Sequence, residues 1–519
     1  MRHPFSYLIR KAFREVVRDL RDVAVTPAKQ ESRRKFLKQS AFAGAGLLIA
    51  PSLLKAGTAD KKIVIIGAGM AGLNAAYQLQ KKGINAEVYE AADRTGGRMY
   101  TMHDRFGKGI TTDIGGEFVD TTHEDILQLA GEFGVDFYDL RKDLLESHAY
   151  YFDGRLLSKE ELKNALKPFA QKIEADIHSL PEQINCTTAK DFEQLDKISI
   201  TEYLQQLGIS GWLYKLIDVV LTREYGMEAS EQSLINFLIM FKEPEEEHGD
   251  YTLFGDEHEV YKIKGGSQHL TNQLYEKVKP LVKLKHRLTA LRQEGDQYQL
   301  QFASASGNKT VRADYVIIAI PFSILRNIKM EVVMPAEKKK CIDELGYGNS
   351  CKFIMGLNNK PWRENKQQGY TFNDLSFGCG WDSSQAQSEK QGSFTVFGGG
   401  NFAEKIFATK EIELGSDFIQ SLDVIYAGSK AAYTNKQVKF CWGRNPLSKG
   451  GYSSFKKGQW STLAGWEEVP VGNIFFAGEH VSLDFQGYMN GAAKTGRVAA
   501  EKIISKLKIP VEETQGKIA

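Results

Sequence analysis

From Lys62 to Ile66 the chain reads Lys-Ile-Val-Ile-Ile, a run that predicts a buried strand. Gly67, Gly69 and Gly72 follow at once, a helical pattern then runs to Lys82, and Ala86 to Tyr89 predicts a second strand ending at Glu90. Further along, Tyr298, Leu300 and Phe302 alternate, Gly307-Asn308 turns the chain, and Tyr315 to Ile320 is apolar. That pattern predicts a hairpin feeding a central strand. Ser233 to Phe241 reads as helix, and Phe353 to Leu357 and Phe394 to Phe397 read as short strands. The tail after Pro510 has no such pattern.

The N-terminal 60 residues differ from the rest. Phe5, Leu8, Ile9, Phe13, Val16, Val17 and Leu20 recur at helical spacing among Arg and Lys, which suits either a surface-lying amphipathic helix with peripheral membrane contact or a frayed leader. Ser32-Arg33-Arg34-Lys35-Phe36-Leu37-Lys38 comes next, then an apolar stretch from Ala41 to Leu54 and small residues at Gly57 and Ala59. A charged start, a short apolar centre and a small-residue exit make a signal peptide, too short to span a bilayer. Arg33-Arg34 resembles the bacterial twin-arginine signal, which implies export of a folded protein to the periplasm or beyond.

Composition narrows the function. The chain has 519 residues, 42% hydrophobic and 25% charged, which excludes a disordered chain and a disulfide miniprotein. Residues 1–60 carry 12 Lys/Arg against 5 Asp/Glu, and residues 61–519 carry 55 against 60. The body is therefore mildly acidic and shows no nucleic-acid footprint. Cys186, Cys341, Cys351, Cys379 and Cys441 are scattered without metal-ligand spacing and read as unpaired buried thiols, which suits folding in a reducing cytoplasm.

The strand, glycines, helix, strand and acid at 62–90 stand in the order that a dinucleotide needs. Gly67 makes a tight turn, Gly69 admits a pyrophosphate, Gly72 packs helix on strand, and Met70 and Ala71 open the helix whose free N–H groups face the phosphates. Glu90 can accept from ribose hydroxyls.

The following residues resemble the flavin amine oxidase family. Glu90 to Arg98 matches its Glu-x-x-x-Arg-x-Gly-Gly-Arg signature, and this implies FAD, with Arg98 against the pyrophosphate. Asp113-Ile114-Gly115-Gly116-Glu117-Phe118-Val119 is similar to the second flavin segment. Lys264-Gly265-Gly266-Ser267 leads to Val282, placed by the resemblance on the adenine side. Leu345 to Phe353 is similar to the segment with the active-site lysine, here Lys352. Trp442 to Tyr452 is similar to one wall of the substrate cage; monoamine oxidases have a flavin-bonded cysteine where Gly451 stands, so FAD is expected to be non-covalent. Ile474 to His480, with Gly478 and Glu479, and Gln486 to Gly491, with Tyr488 and Met489, complete the match. Glu479 would bond the ribityl–phosphate region, and the Met489 amide would face the flavin's N1/C2 edge.

The resemblance implies an α/β fold, with a Rossmann-like FAD-binding domain from 60–147, 255–330 and 441–508. An α+β substrate domain from 148–254 and 331–440 interleaves with it, the first insertion helical and the second mostly antiparallel sheet. It also implies oxidation of an amine or polyamine. Tyr452 and Tyr488 would steer the amine, hydride would pass to flavin N5, the imine would hydrolyse, and O2 would reoxidise the flavin to give H2O2. Lys352 would hold a water near N5. Glu117 and Phe118 would face the substrate, Glu117 repelling a carboxylate, and the acidic residues between Glu243 and Glu257 would draw cations. An L-amino-acid oxidase or monooxygenase would need an arginine from elsewhere, Arg223 or Arg444; a non-catalytic flavoprotein is the other alternative. No metal site is expected; a homodimer and the twin-arginine export machinery are the expected macromolecular partners.

Overall fold

The computed structural model describes residues 12–13, 15–17, 61–241 and 260–507. The twin-arginine stretch, the acidic residues 243–257 and the tail after Pro510 lie outside the described residues.

Ile63–Ile66 is the middle strand of a five-stranded sheet ordered Val282–Lys283, Ala86–Tyr89, Ile63–Ile66, Tyr315–Ile318, Ile474–Phe476. Every pairing is parallel, which explains why Ile63–Ile66, Tyr315–Ile318 and Ile474–Phe476 are apolar runs rather than alternations. Ile63 and Ile65 face a cluster with the helices Met70–Lys81, Ser267–Val278 and Met489–Lys506. Val64 and Ile66 face the other way, toward Leu300 and Phe302. Those two residues belong to Gln297–Ser304, which pairs antiparallel with Gly307–Ala313 across a turn at Ser304 and Gly307. Gly307 has φ +107°, a value that an L side chain strains to adopt.

A seven-stranded sheet forms the second domain. Its order is Tyr433–Cys441, Ser350–Leu357, Gly392–Gly399, Cys379–Asp382, Gln367–Asn373, Glu146–Phe152, Arg155–Leu157. All pairs are antiparallel except Gln367–Asn373 with Glu146–Phe152. The last two strands come from the insertion expected to be helical, and Glu146–Phe152 crosses its expected start at 148. Their hairpin turns at Asp153-Gly154, with φ +50° and +78°. Its partner strand is more than 200 residues away in the chain, so local pattern carries no sign of the pairing.

Cys351 and Cys441 stand directly opposite each other in this sheet and form a disulfide. The expectation of five unpaired thiols is therefore wrong for these two; Cys186, Cys341 and Cys379 are free. The partners lie 90 residues apart, and only the ladder brings them together.

The described part of the leader packs on the helical subdomain. Ala12, Phe13 and Val16 are buried, the Phe13 ring lies 4.8 Å from that of Phe241, and Glu15 pairs with Lys163 at 3.1 Å. These apolar residues face protein, so a membrane face would have to be made by others. Among the described residues no helix is long and apolar enough to cross a membrane.

Candidate active site

A cavity of about 660 Å³ opens at the carboxyl end of the parallel sheet, where a ligand is expected in an open α/β sheet. The helix Met70–Lys81 points its start into it. Gly69 caps that helix with no side-chain bond, and no acidic residue sits in the first turn, so its N–H groups and dipole stay open for an anion. Two glycines shape the approach. A Cβ on Gly67 (φ +101°) would lie 2.7 Å from the Ala319 carbonyl oxygen, and one on Gly72 would lie 1.9 Å from that of Gly67. Glu90 accepts from the Ala68 and Ala92 N–H groups at 2.7 and 2.8 Å, which fixes the acid on the cavity wall.

A second open helix start reaches the same cavity. Met489–Lys506 begins after Tyr488, again with no side-chain cap. Gly116 lies against Met489: a Cβ there would meet its Sδ at 2.7 Å. The opposing wall is organised by Glu479, which is 5% exposed. Its carboxylate accepts from Arg98 Nη1 at 2.7 Å, Ser453 Oγ at 2.8 Å, Gly487 N–H at 2.9 Å and Ser453 N–H at 3.2 Å. Burial alone would raise this carboxyl; the Arg98 guanidinium outweighs that and holds it at about 2. Ser453 follows Tyr452 and Gly487 precedes Tyr488, so one carboxylate ties together the two segments that carry the tyrosines. The Tyr452 hydroxyl donates to the Arg223 carbonyl at 2.7 Å, and the Tyr488 ring lies 5.0 Å from His123.

Lys352 sits one residue after the disulfide, on Ser350–Leu357, and is 1% exposed. Its ammonium donates to Asp113 O at 2.8 Å, Gly115 O at 3.1 Å and Glu117 Oε2 at 2.8 Å. Each of its three protons thus has a protein acceptor. Glu117 differs from expectation. It is 2% exposed; its Oε1 pairs with Lys262 at 2.7 Å, and Trp381 Nε1 donates to its Oε2, beside Lys352, at 3.2 Å. Burial would raise its carboxyl, but Lys262 and Lys352 lower it below the usual range. Two cations neutralise it, so it cannot repel a carboxylate as a free charge would. Phe118 packs nearby, its ring tilted against that of Trp381 at 6.0 Å.

Of the residues expected at the cofactor, Gly67, Gly69, Met70, Ala71, Glu90, Arg98, Gly116, Gly478, Glu479, Tyr488 and Met489 line the cavity. Gly72, Gly115, Glu117 and Val282 do not; the two glycines let backbones pack behind the wall, and Val282 pairs with Val88 at the sheet edge. Phe118, Lys352 and Tyr452 also stand off this wall. Arg444 is an exposed partner of Glu404. Arg223 is buried over the Phe402 ring, and no carboxylate pairs with it among the described residues. Lys262 and Trp381 were not anticipated; each looks in the sequence like an ordinary strand residue.

Two open helix ends and a glycine cradle around one cavity fit a protein that holds a dinucleotide cofactor. A family model described as flavin containing amine oxidoreductase matches residues 70–504. The chain belongs to that family, is an oxidoreductase and takes FAD. It is 25% identical over 484 residues to an L-amino-acid oxidase of Sistrurus catenatus edwardsii, covering 88% of this chain and 89% of that one. It is 26% identical over 466 residues to a probable flavin-containing monoamine oxidase A of Dictyostelium discoideum, covering 86% and 98%. Among solved structures, cyclohexylamine oxidase from Brevibacterium oxydans IH-35A shares the fold at TM-score 0.76 and 21% identity, over 86% of this chain and all (100%) of that one. Putrescine oxidase shares it at 0.72 and 20%, over 86% and 99%.

Proposed function

We propose that the protein is an exported oxidase of primary amines or polyamines that holds FAD without a covalent bond. The observation that carries this reading is the Glu479 clamp, which ties Arg98 and the segments of Tyr452 and Tyr488 together through one carboxylate. Bound FAD supplies the acceptor for a hydride from the carbon next to nitrogen, and O2 regenerates it with release of H2O2. Arg98, oriented by Glu479 and the Gly451 carbonyl, offers its guanidinium to the pyrophosphate. The open start of Met489–Lys506 would favour negative charge on a flavin ring held against it. Tyr488, on the cavity wall, would offer its ring to an amine, and the imine product would hydrolyse in water. A side chain at Gly451 would begin 2.2 Å from Ser350 Oγ, which supports non-covalent FAD. The Cys351–Cys441 bridge suits an oxidising compartment, in line with the twin-arginine pattern.

One observation favours a second reading, oxidation of L-amino acids: Glu117 is neutralised, and Arg223 is a buried cation without a carboxylate partner among the described residues. Oxygen uptake with an amine and with the α-amino acid of the same side chain separates the two. Uptake with the amine alone supports the proposal. Uptake with the amino acid alone, lost in Arg223→Met, supports the second reading.

A further inference from the structure

The second lysine of the buried cluster has no role in the scheme above. Lys262 lies on Tyr261–Ile263, is 3% exposed, donates to the Ser383 carbonyl at 2.6 Å and pairs with Glu117 Oε1 at 2.7 Å. Glu117 is therefore shared, with Lys352 on its other oxygen at 2.8 Å. The remaining titratable group in the cluster, Asp113, accepts from Thr101 Oγ1 at 2.6 Å and from Ser267 N and Oγ at 2.9 and 3.0 Å; burial, then the charge of Glu117, raises its carboxyl. Lys352 in turn holds the Gly115 carbonyl, and the next residue, Gly116, is on the cofactor wall.

A lone Glu117–Lys352 pair would be neutral. Its carboxylate would orient the lysine and cancel its field together. We propose that Lys262 is a positioning residue of the oxidative site: it offsets Glu117, so that Glu117 orients Lys352 without cancelling the positive charge that Lys352 brings to the cofactor wall. Positive charge at that wall would stabilise the reduced cofactor and the anionic state of oxygen during reoxidation, and in a buried site a change of one charge is felt strongly. The inference rests on the FAD oxidase reading but not on its substrate.

The test is the reduction potential of bound FAD and the rate of reoxidation after chemical reduction, in a charge series. Lys262→Met lowers the potential and slows reoxidation by about tenfold. Lys262→Met with Glu117→Gln restores both toward wild type, because the offsetting charges leave together. Wild-type values in Lys262→Met, or no recovery in the double variant, overturn the proposal, since a merely structural lysine moves neither readout in this pattern. Should Lys262→Met not fold, Glu117→Gln alone must raise the potential, and an unchanged value overturns it. If no amine or amino acid reduces the wild type, the functional reading fails while the potentials still decide this one.

Discussion

Replacing Glu479 with glutamine keeps the shape of the side chain and removes its charge. The carboxylate accepts from four donors: Arg98 Nη1 at Oε1, Ser453 Oγ and the Gly487 N–H at Oε2, and the Ser453 N–H shared between both oxygens. An amide has one acceptor oxygen, so either orientation turns an NH2 toward two donors. Leaving a buried, charge-assisted network half satisfied costs about 3–5 kcal/mol. The pH dependence gives a second route to the magnitude. The carboxyl falls from its ordinary 4.5 to about 2 on folding, worth about 3 kcal/mol. Because the folded value is depressed, this stabilisation is complete above pH 4.5 and drains away as pH falls toward 2. Urea unfolding of the FAD-loaded enzyme at several pH values measures both. Glu479→Gln should lose about 3 kcal/mol at neutral pH and flatten part of the acid slope. It should also lower kcat by loosening the two tyrosine segments. Wild-type stability with an unaltered acid slope would refute the clamp.

Lys352→Met should keep FAD and slow reoxidation by O2 about tenfold or more; stopped-flow mixing of the reduced enzyme with oxygen checks it, and a normal rate removes the lysine from the oxidative step. Denaturing the protein should release all of its FAD, and yellow colour left on the precipitated chain would contradict non-covalent binding. Gly451→Cys should cost about 1–3 kcal/mol through the contact with Ser350, read by thermal melting. Alkylation of the unfolded chain without reductant should label the free thiols and spare Cys351 and Cys441, and removing that bridge should cost about 2–4 kcal/mol.

What could be read from the chain were features whose cause is local. Ile63–Ile66 is apolar because both faces are covered, and Gly67 and Gly72 are glycines because a Cβ would strike backbone within a few residues or on the adjoining strand. The hairpin at Ser304 and Gly307 is likewise written in adjacent residues. What could not be read depends on chain segments far apart. Glu117 looks like a free acid beside two glycines until Lys262 and Lys352, from different sheets, close on it. Lys262 and Lys264 are two residues apart in one short stretch, yet one is buried and the other pairs with Asp136 near solvent. The disulfide and the pairing of 146–152 with 367–373 were hidden for the same reason.

The central claim is that this site takes electrons from an amine into FAD. Anaerobic mixing of the purified yellow protein with amines, polyamines and amino acids tests it through the flavin band near about 450 nm. The account predicts bleaching by an amine class. Bleaching by amino acids alone, or by nothing in the panel, would contradict it.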